Sequence, residues 1–242
     1  MNEPRESKSI EVRHERQPSD NYATPFEIAK WTIDHALDLL SKNRSKKNGK
    51  KLIMLEPGCG DNAPFSRYAA SVGMNAYATD VRNVSTRSTV TVIPDFDFLN
   101  LPCEKSASFY SRKYDVIATN PPFIFGAEFI IRSLDILSPN GVAAFLTKLS
   151  FLSSKGRYEM LFSDRPPFEI HVLIKRPSFA YGATDRGQEY CILFWAGDEL
   201  DKQLRRNRGK VARMYWQENK IWEVPVLPDG VGTRIEVEKF EP

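Results

Sequence analysis

The feature that most constrains this chain is an apolar run, Leu52-Ile53-Met54-Leu55, that leads directly into Glu56-Pro57-Gly58-Cys59-Gly60-Asp61. Consecutive apolar residues leave no polar face, so a strand built from them must be covered on both sides. That is the situation of a parallel strand with helices above and below it. Glycines placed immediately afterwards let the backbone turn sharply and approach a ligand closely. A strand over 51–55, a glycine loop and a helix over 64–72 therefore open an α/β sheet. The third glycine of the dinucleotide fingerprint is missing, because the chain continues Asp61-Asn62-Ala63-Pro64. No Lys-Ser or Lys-Thr follows to hold a triphosphate.

The same alternation continues downstream. Strands are predicted over 75–79, 90–93, 114–119 and 142–146, with a helix over 125–137 and a turn at Pro139-Asn140-Gly141. A helix over 155–163 precedes two further strands, 171–174 and 190–195, separated by a Gly-containing loop as an antiparallel pair would be. Upstream, Thr24-Pro25 followed by Glu27 reads as a capping box that starts a helix. Phe26, Ala29, Ile33, Leu37 and Leu40 share one face of it. Together these elements predict an α/β fold: a doubly wound, mainly parallel sheet with helices on both faces and an antiparallel last strand.

Residues 1–21 mix charges with almost no apolar content and are expected to form a disordered or loosely packed tail. Residues 22–200 would be the catalytic domain, and 201–242 a short basic and aromatic extension. No run approaches the roughly 18 apolar residues of a membrane helix, and the charged N-terminus lacks a signal peptide's apolar segment. A cytoplasmic protein without a membrane partner is expected. Cys59, Cys103 and Cys191 are widely spaced and predict reduced thiols. The scattered His14, His35 and His171 give no readable metal site. A net charge of +3 permits a nucleic-acid partner without requiring one.

In a sheet of this kind ligands bind beyond the carboxyl ends of the strands, and four clusters fall there. The first is the glycine loop with Glu56, Gly58 and Gly60. Asp80, closing the second strand about 20 positions further on, is placed to accept hydrogen bonds from ribose hydroxyls. Asp97 could accept an adenine amino group while Phe98 packs on the ring. Each of these has a structural alternative: a tight turn, a surface carboxylate, an ordinary loop. The fourth cluster, Asn120-Pro121-Pro122-Phe123 after the fourth strand, is more specific. Its prolines fix φ near −65° and remove N–H donors, leaving neighbouring carbonyls as fixed acceptors. Beside them, the Asn120 side-chain oxygen completes a cradle for an NH2 group, and Phe123 offers a flat stacking surface.

With this tetrapeptide the chain resembles the N6-adenine DNA methyltransferases, in the motif order that places a short cofactor-binding motif ahead of the glycine loop. Tyr22-Ala23-Thr24-Pro25-Phe26-Glu27-Ile28-Ala29 is similar to that leading motif. The resemblance implies a Rossmann-like class I methyltransferase fold and S-adenosyl-L-methionine as cofactor. Tyr22, Thr24 and Pro25 would approach its methionine end. Glu56, Gly58, Gly60, Asp80, Asp97 and Phe98 would supply the remaining contacts. It further implies methyl transfer to the adenine N6 amine, held by Asn120, Pro121, Pro122 and Phe123, with the target base flipped out of double-stranded DNA.

Little chain follows Ser150, so base recognition is expected to be short or relaxed. Arg205-Arg206-Asn207-Arg208-Gly209-Lys210, then Met214-Tyr215-Trp216 and Trp222, suit phosphate contact with stacking. A solvated turn and a small buried hairpin would suit them equally. Arg165-Pro166-Pro167-Phe168 is expected near the catalytic face, and the loop over 176–182 as a wall of the base pocket. Two other functions stand beside the first. One is methylation of RNA adenine or of a protein glutamine side-chain amide, since enzymes of those kinds share Asn-Pro-Pro with an aromatic. The other is a catalytically inactive nucleic-acid-binding protein on the same fold.

Overall fold

The computed structural model describes residues 23–43, 51–85, 89–100, 109, 111–175, 177 and 188–208. The expected tail over 1–21, Tyr22, Cys103, most of the loop over 176–182 and the segment after 208 lie outside the described residues.

In chain order the elements are α1 (Phe26–Asn43), β1 (Ile53–Pro57), α2 (Pro64–Ser71), β2 (Asn75–Thr79), β3 (Thr91–Ile93), β4 (Tyr114–Thr119), α3 (Gly126–Ile136) and β5 (Leu137–Lys148). After them come α4 (Lys155–Arg157), continued by a π turn over Tyr158–Phe162, then β6 (Glu169–Val172), β7 (Tyr190–Ala196) and α5 (Asp198–Arg208). The strands form one seven-stranded sheet in the order β3-β2-β1-β4-β5-β7-β6. β1 to β5 run parallel, and β7 pairs antiparallel with both β5 and β6. The predicted α/β architecture with an antiparallel final strand is therefore present, and strand order reverses direction between β1 and β4.

Period-two alternation sends successive residues of each central strand into different layers. Met54, Val116, Ala118, Val142, Ala144, Ile192 and Phe194 face a core shared with α1, α2 and α5. Leu55, Ile117, Ala143, Phe145, Leu193 and Trp195 face the opposite core, which contains Phe129 and Ile130 of α3 and Leu161 and Phe162 of the π turn. Both faces are apolar because both are covered, which is why these strands read as unbroken apolar runs. Among the described residues no helix is long and apolar enough to cross a membrane.

Four expectations need correction. Pro139-Asn140-Gly141 does not end a helix ahead of a separate strand; it lies inside β5, as an irregularity where pairing jumps from Tyr114↔Leu137 to Val116↔Val142. Proline cannot donate to the ladder, and the backbones crowd: a Cβ on Gly141 would meet the Asp115 carbonyl at 2.9 Å. Phe26, expected on the buried face of α1, is 43% exposed and meets Tyr68 edge-on at 5.8 Å. Arg165 pairs with Asp135 at the end of α3, by the amino end of β5, away from the strands' carboxyl ends. Finally, α5 is a helix where none was expected, running through residue 200. Its acidic first turn of Asp198, Glu199 and Asp201 suits the positive end of a helix, and Leu200 and Leu204, one turn apart, are buried.

Candidate active site

The reversal of strand order opens a crevice at the carboxyl ends of β1 and β4, and these ends are tied together by hydrogen bonds. Thr119 Oγ1 at the end of β4 donates to the Pro57 carbonyl at 2.6 Å. The Cys59 N–H donates to the Thr79 carbonyl of β2 at 2.9 Å. Gly60 donates its N–H to Asp80 Oδ2 at 2.9 Å. Gly58 and Gly60 have φ of 66° and 64°, in the left-handed region where a side chain is disfavoured. A Cβ on Gly58 would lie 3.2 Å from the Phe129 ring and 3.8 Å from Cδ of Pro122. The glycine loop and the tetrapeptide, some 60 residues apart in sequence, are thus neighbours.

Tyr22 apart, each predicted residue falls among the described residues. Glu56 is 1% exposed, and its Oε2 accepts from the Ser66 N–H at 2.8 Å and the Ser66 hydroxyl at 2.7 Å. Burial pushes this carboxyl up to about 8, against the opposing effect of the Ser66 hydrogen bonds. The side chain therefore holds the entry to α2, where Ala63 is left-handed at φ 40° and Pro64 takes a first-turn position. The same burial, with Glu56 and Asp80 close by, raises the Cys59 thiol, and both Cys59 and Cys191 are free thiols as expected.

Asp80 is 5% exposed. Besides the Gly60 N–H it accepts the Arg82 N–H at 2.9 Å and the Arg82 Nε–H at 3.0 Å on Oδ1, while a longer Arg82 contact of 3.4 Å reaches Oδ2. Asp97 closes a local turn, accepting from the Leu99 N–H at 3.0 Å and Asn100 Nδ2 at 3.2 Å. Phe98, expected to pack on the cofactor ring, lies among buried side chains. It is 2% exposed and packs in the core with its ring 5.2 Å from that of Phe129. Its influence reaches the crevice through Phe129, the ring that backs Gly58.

Thr24 is buried and Pro25 half-buried at the head of α1, where the Pro25 carbonyl accepts from Ala29 at 3.3 Å. α1 packs on α2 through a hydrogen bond of 2.7 Å from the Tyr68 hydroxyl to Asp34. The leading motif thus joins the layer entered from the glycine loop. Pro121 is buried; Asn120, Pro122 and Phe123 are half-buried. Pro122 leads into a 3-10 turn over Phe123–Phe125, which its carbonyl closes by accepting the Phe125 N–H at 2.9 Å.

Beside the tetrapeptide lies a hollow of about 90 Å³ lined by Pro121, Phe123, Gly126, Thr147, Lys148, Ser150, Phe151 and Arg157. Lys148 Nζ sits 4.8 Å over the Phe123 ring, within cation–π range. Arg157 is a strut: it donates to the carbonyls of Phe151 at 2.6 Å and Ser150 at 3.0 Å and lies over the Phe151 ring. Sequence reasoning missed Thr147 and Lys148 because it ended β5 at residue 146, and Arg157 because only the fold brings α4 to that strand end. The rule that marked Asp80, position at a strand's carboxyl end, applies equally to Lys148.

The structure also unites two histidines that look scattered in sequence. His35 and His171 both place Nε2 on Oε2 of Glu169, at 2.7 and 2.9 Å.

No protein-family model matches the chain, and no curated protein matches it in sequence. Solved structures do share its fold. One, from Listeria monocytogenes and assigned to the class I S-adenosylmethionine-dependent methyltransferases, aligns with TM-score 0.52 at 15% identity over 76% of this chain and 63% of its own. Another, assigned as the modification subunit of a type I restriction enzyme from Vibrio vulnificus YJ016, aligns with TM-score 0.53 at 14% identity over 83% of this chain and 58% of its own. The chain thus spans about three fifths of the length of either. The fold is the Rossmann-like fold of class I methyltransferases.

Proposed function

We propose that this chain is an S-adenosyl-L-methionine-dependent methyltransferase acting on the N6 amine of adenine in DNA. The observation that carries the proposal is the seating of Asn120-Pro121-Pro122-Phe123 at the carboxyl end of β4, with Pro122 against Gly58. This proximity supports a site in which the tetrapeptide holds the amine and the glycine loop borders the cofactor.

The residues fit the cofactor. Left-handed Gly58 and Gly60 keep side chains out of the approach to the loop. Asp80 is an ionisable acceptor at the end of β2, and a hydroxyl donor on Oδ2 would replace the long Arg82 contact. Asp97 offers a further carboxylate, and Thr24 and Pro25 head the helix packed on α2. When bound, the cofactor supplies an electrophilic methyl group on a sulfonium. The protein's task is then to present a poor nucleophile, an amine whose lone pair is delocalised into a ring. Asn120 Oδ1 and the Pro121 carbonyl would accept the two amino hydrogens and hold the nitrogen in line, a contribution of orientation and preorganised dipoles. Phe123 would stack on the flipped base. Lys148 beside it supplies positive charge where a phosphate backbone would pass.

Labelled methyl transfer to double-stranded DNA, single-stranded DNA and RNA side by side, followed by nucleoside digestion, tests this. N6-methyladenine from DNA is expected with the wild type. Asn120→Ala should keep cofactor binding and lose transfer. Label recovered only from RNA would reassign the substrate, and normal turnover by Asn120→Ala would overturn the role of the tetrapeptide.

A further inference from the structure

His35 on α1 meets Glu169 and His171 on the edge strand β6, which β4, β5 and β7 separate from β1 and its glycine loop. Their ligating atoms all fall within 4.8 Å of one another. We infer that they form a binding site for a divalent transition ion, Zn2+ above all, which fastens α1 to β6.

The donor set carries the choice of ion. Two imidazole nitrogens and a carboxylate oxygen suit borderline cations such as Zn2+, whereas Mg2+ and Ca2+ prefer oxygen alone. Glu169 and His171 are two apart on one strand and so point to the same side of the sheet. His35 meets them from the helix across the layer. With Zn–ligand bonds of about 2.0–2.1 Å, neighbouring donors of a tetrahedral site lie about 3.3 Å apart. The observed Nε2–Oε2 separations of 2.7 and 2.9 Å need to open by only about half an ångström for an ion to enter between them.

The rings are held for the purpose. His35 stacks on Trp31 at 5.1 Å with an interplanar angle of 3°, and His171 meets Trp31 edge-on at 5.0 Å. Phe194 closes the floor, 4.9 Å from His35 and 5.3 Å from His171. An aromatic enclosure lowers the local dielectric and makes a single carboxylate shared by two imidazoles a strong attractor for a cation. Side-chain exposures of 17% for His35, 9% for Glu169 and 11% for His171 leave a route for the ion and an open position for water. Ligation would use the Nε2 lone pair of each ring, with the ring N–H on Nδ1.

The test uses the full chain, stripped with chelator and titrated with Zn2+ against a chromophoric competitor, and then with Co2+ as a spectroscopic probe. A single Zn2+ per chain, a rise in melting temperature on adding it, and a tetrahedral Co2+ spectrum without sulfur charge-transfer bands are expected. His35→Gln, Glu169→Gln and His171→Gln should each abolish the rise while circular dichroism reports an intact fold. Zn2+ uptake unchanged in the His35→Gln/His171→Gln double variant would overturn the assignment. So would sulfur bands in the wild-type Co2+ spectrum, a readout that holds even if a variant fails to fold. A stripped wild type whose melting is indifferent to Zn2+ would overturn it as well.

Discussion

Glu56 offers the sharpest quantitative test of how the glycine loop is built. Its carboxyl is buried, accepts two hydrogen bonds from Ser66, and is pushed up to about 8. In the unfolded chain the same group titrates near 4.3. Between those values the folded state binds a proton that the unfolded state has released, so stability must fall as pH rises through this window. The slope approaches about 1.4 kcal/mol per pH unit, which makes the loss about 2.5 kcal/mol between roughly pH 5.5 and 7.5. Glu56→Gln keeps an oxygen acceptor for Ser66 and removes the titration. Urea denaturation of both proteins across this range should give curves that diverge with pH, the variant becoming relatively more stable. At a slope of roughly 2–3 kcal/mol per molar urea, the midpoints separate by about 1 M. Cofactor affinity should change little, because the carboxylate faces α2. Parallel stability curves would refute the buried, proton-binding Glu56, and a large affinity loss in Glu56→Gln would return the side chain to direct ligand contact.

Two further variants separate packing from binding. Phe98→Ala should cost about 3–5 kcal/mol in denaturation experiments, the usual penalty for emptying a buried aromatic site; unchanged stability with weakened cofactor binding would mean the ring serves the ligand and not the core. Lys148→Met should weaken DNA binding and reduce the slope of log affinity against log salt by about 1, as expected for one lost phosphate contact, whereas an unaltered slope would remove Lys148 from the DNA path.

β2 and β4 match the predicted spans residue for residue, because each is a short segment with an apolar centre, followed directly by Asp80 or Asn120. β1 begins and ends two residues later than predicted, since Glu56 and Pro57 pair with Ala78 and Thr79 despite their poor strand propensities. α5 escaped notice because only Leu200 and Leu204 of its eleven residues are buried apolar side chains. For Phe98 the sequence was ambiguous in principle: an aromatic packing on a ligand and one packing on Phe129 leave the same letter. The His35–Glu169 pair joins residues 134 apart, and periodicity within a single element carries no information about such a contact. Lys148 needed only a correct strand end.

The hydrogen bonds that knit the three loops explain why the legible residues belong together. A methyl transfer gains most from fixing donor and acceptor at a set separation, since a displacement of even about 1 Å can cost a hundredfold in rate. On the proposed function, the glycine loop would position one partner and the tetrapeptide the other. Thr119 to Pro57, Cys59 to Thr79 and Gly60 to Asp80 join the ends of β4, β1 and β2 through backbone or buried groups. The separation is thereby set by the sheet itself, whose parallel spacing is among the most rigid distances in a protein. A side chain on Gly58 is disfavoured on this account as well as for its φ, because its Cβ would crowd the Phe129 ring at 3.2 Å while Pro122 borders it at 3.8 Å. On the proposed function, the tetrapeptide is informative because it touches the loop against which a nucleoside cofactor would lie.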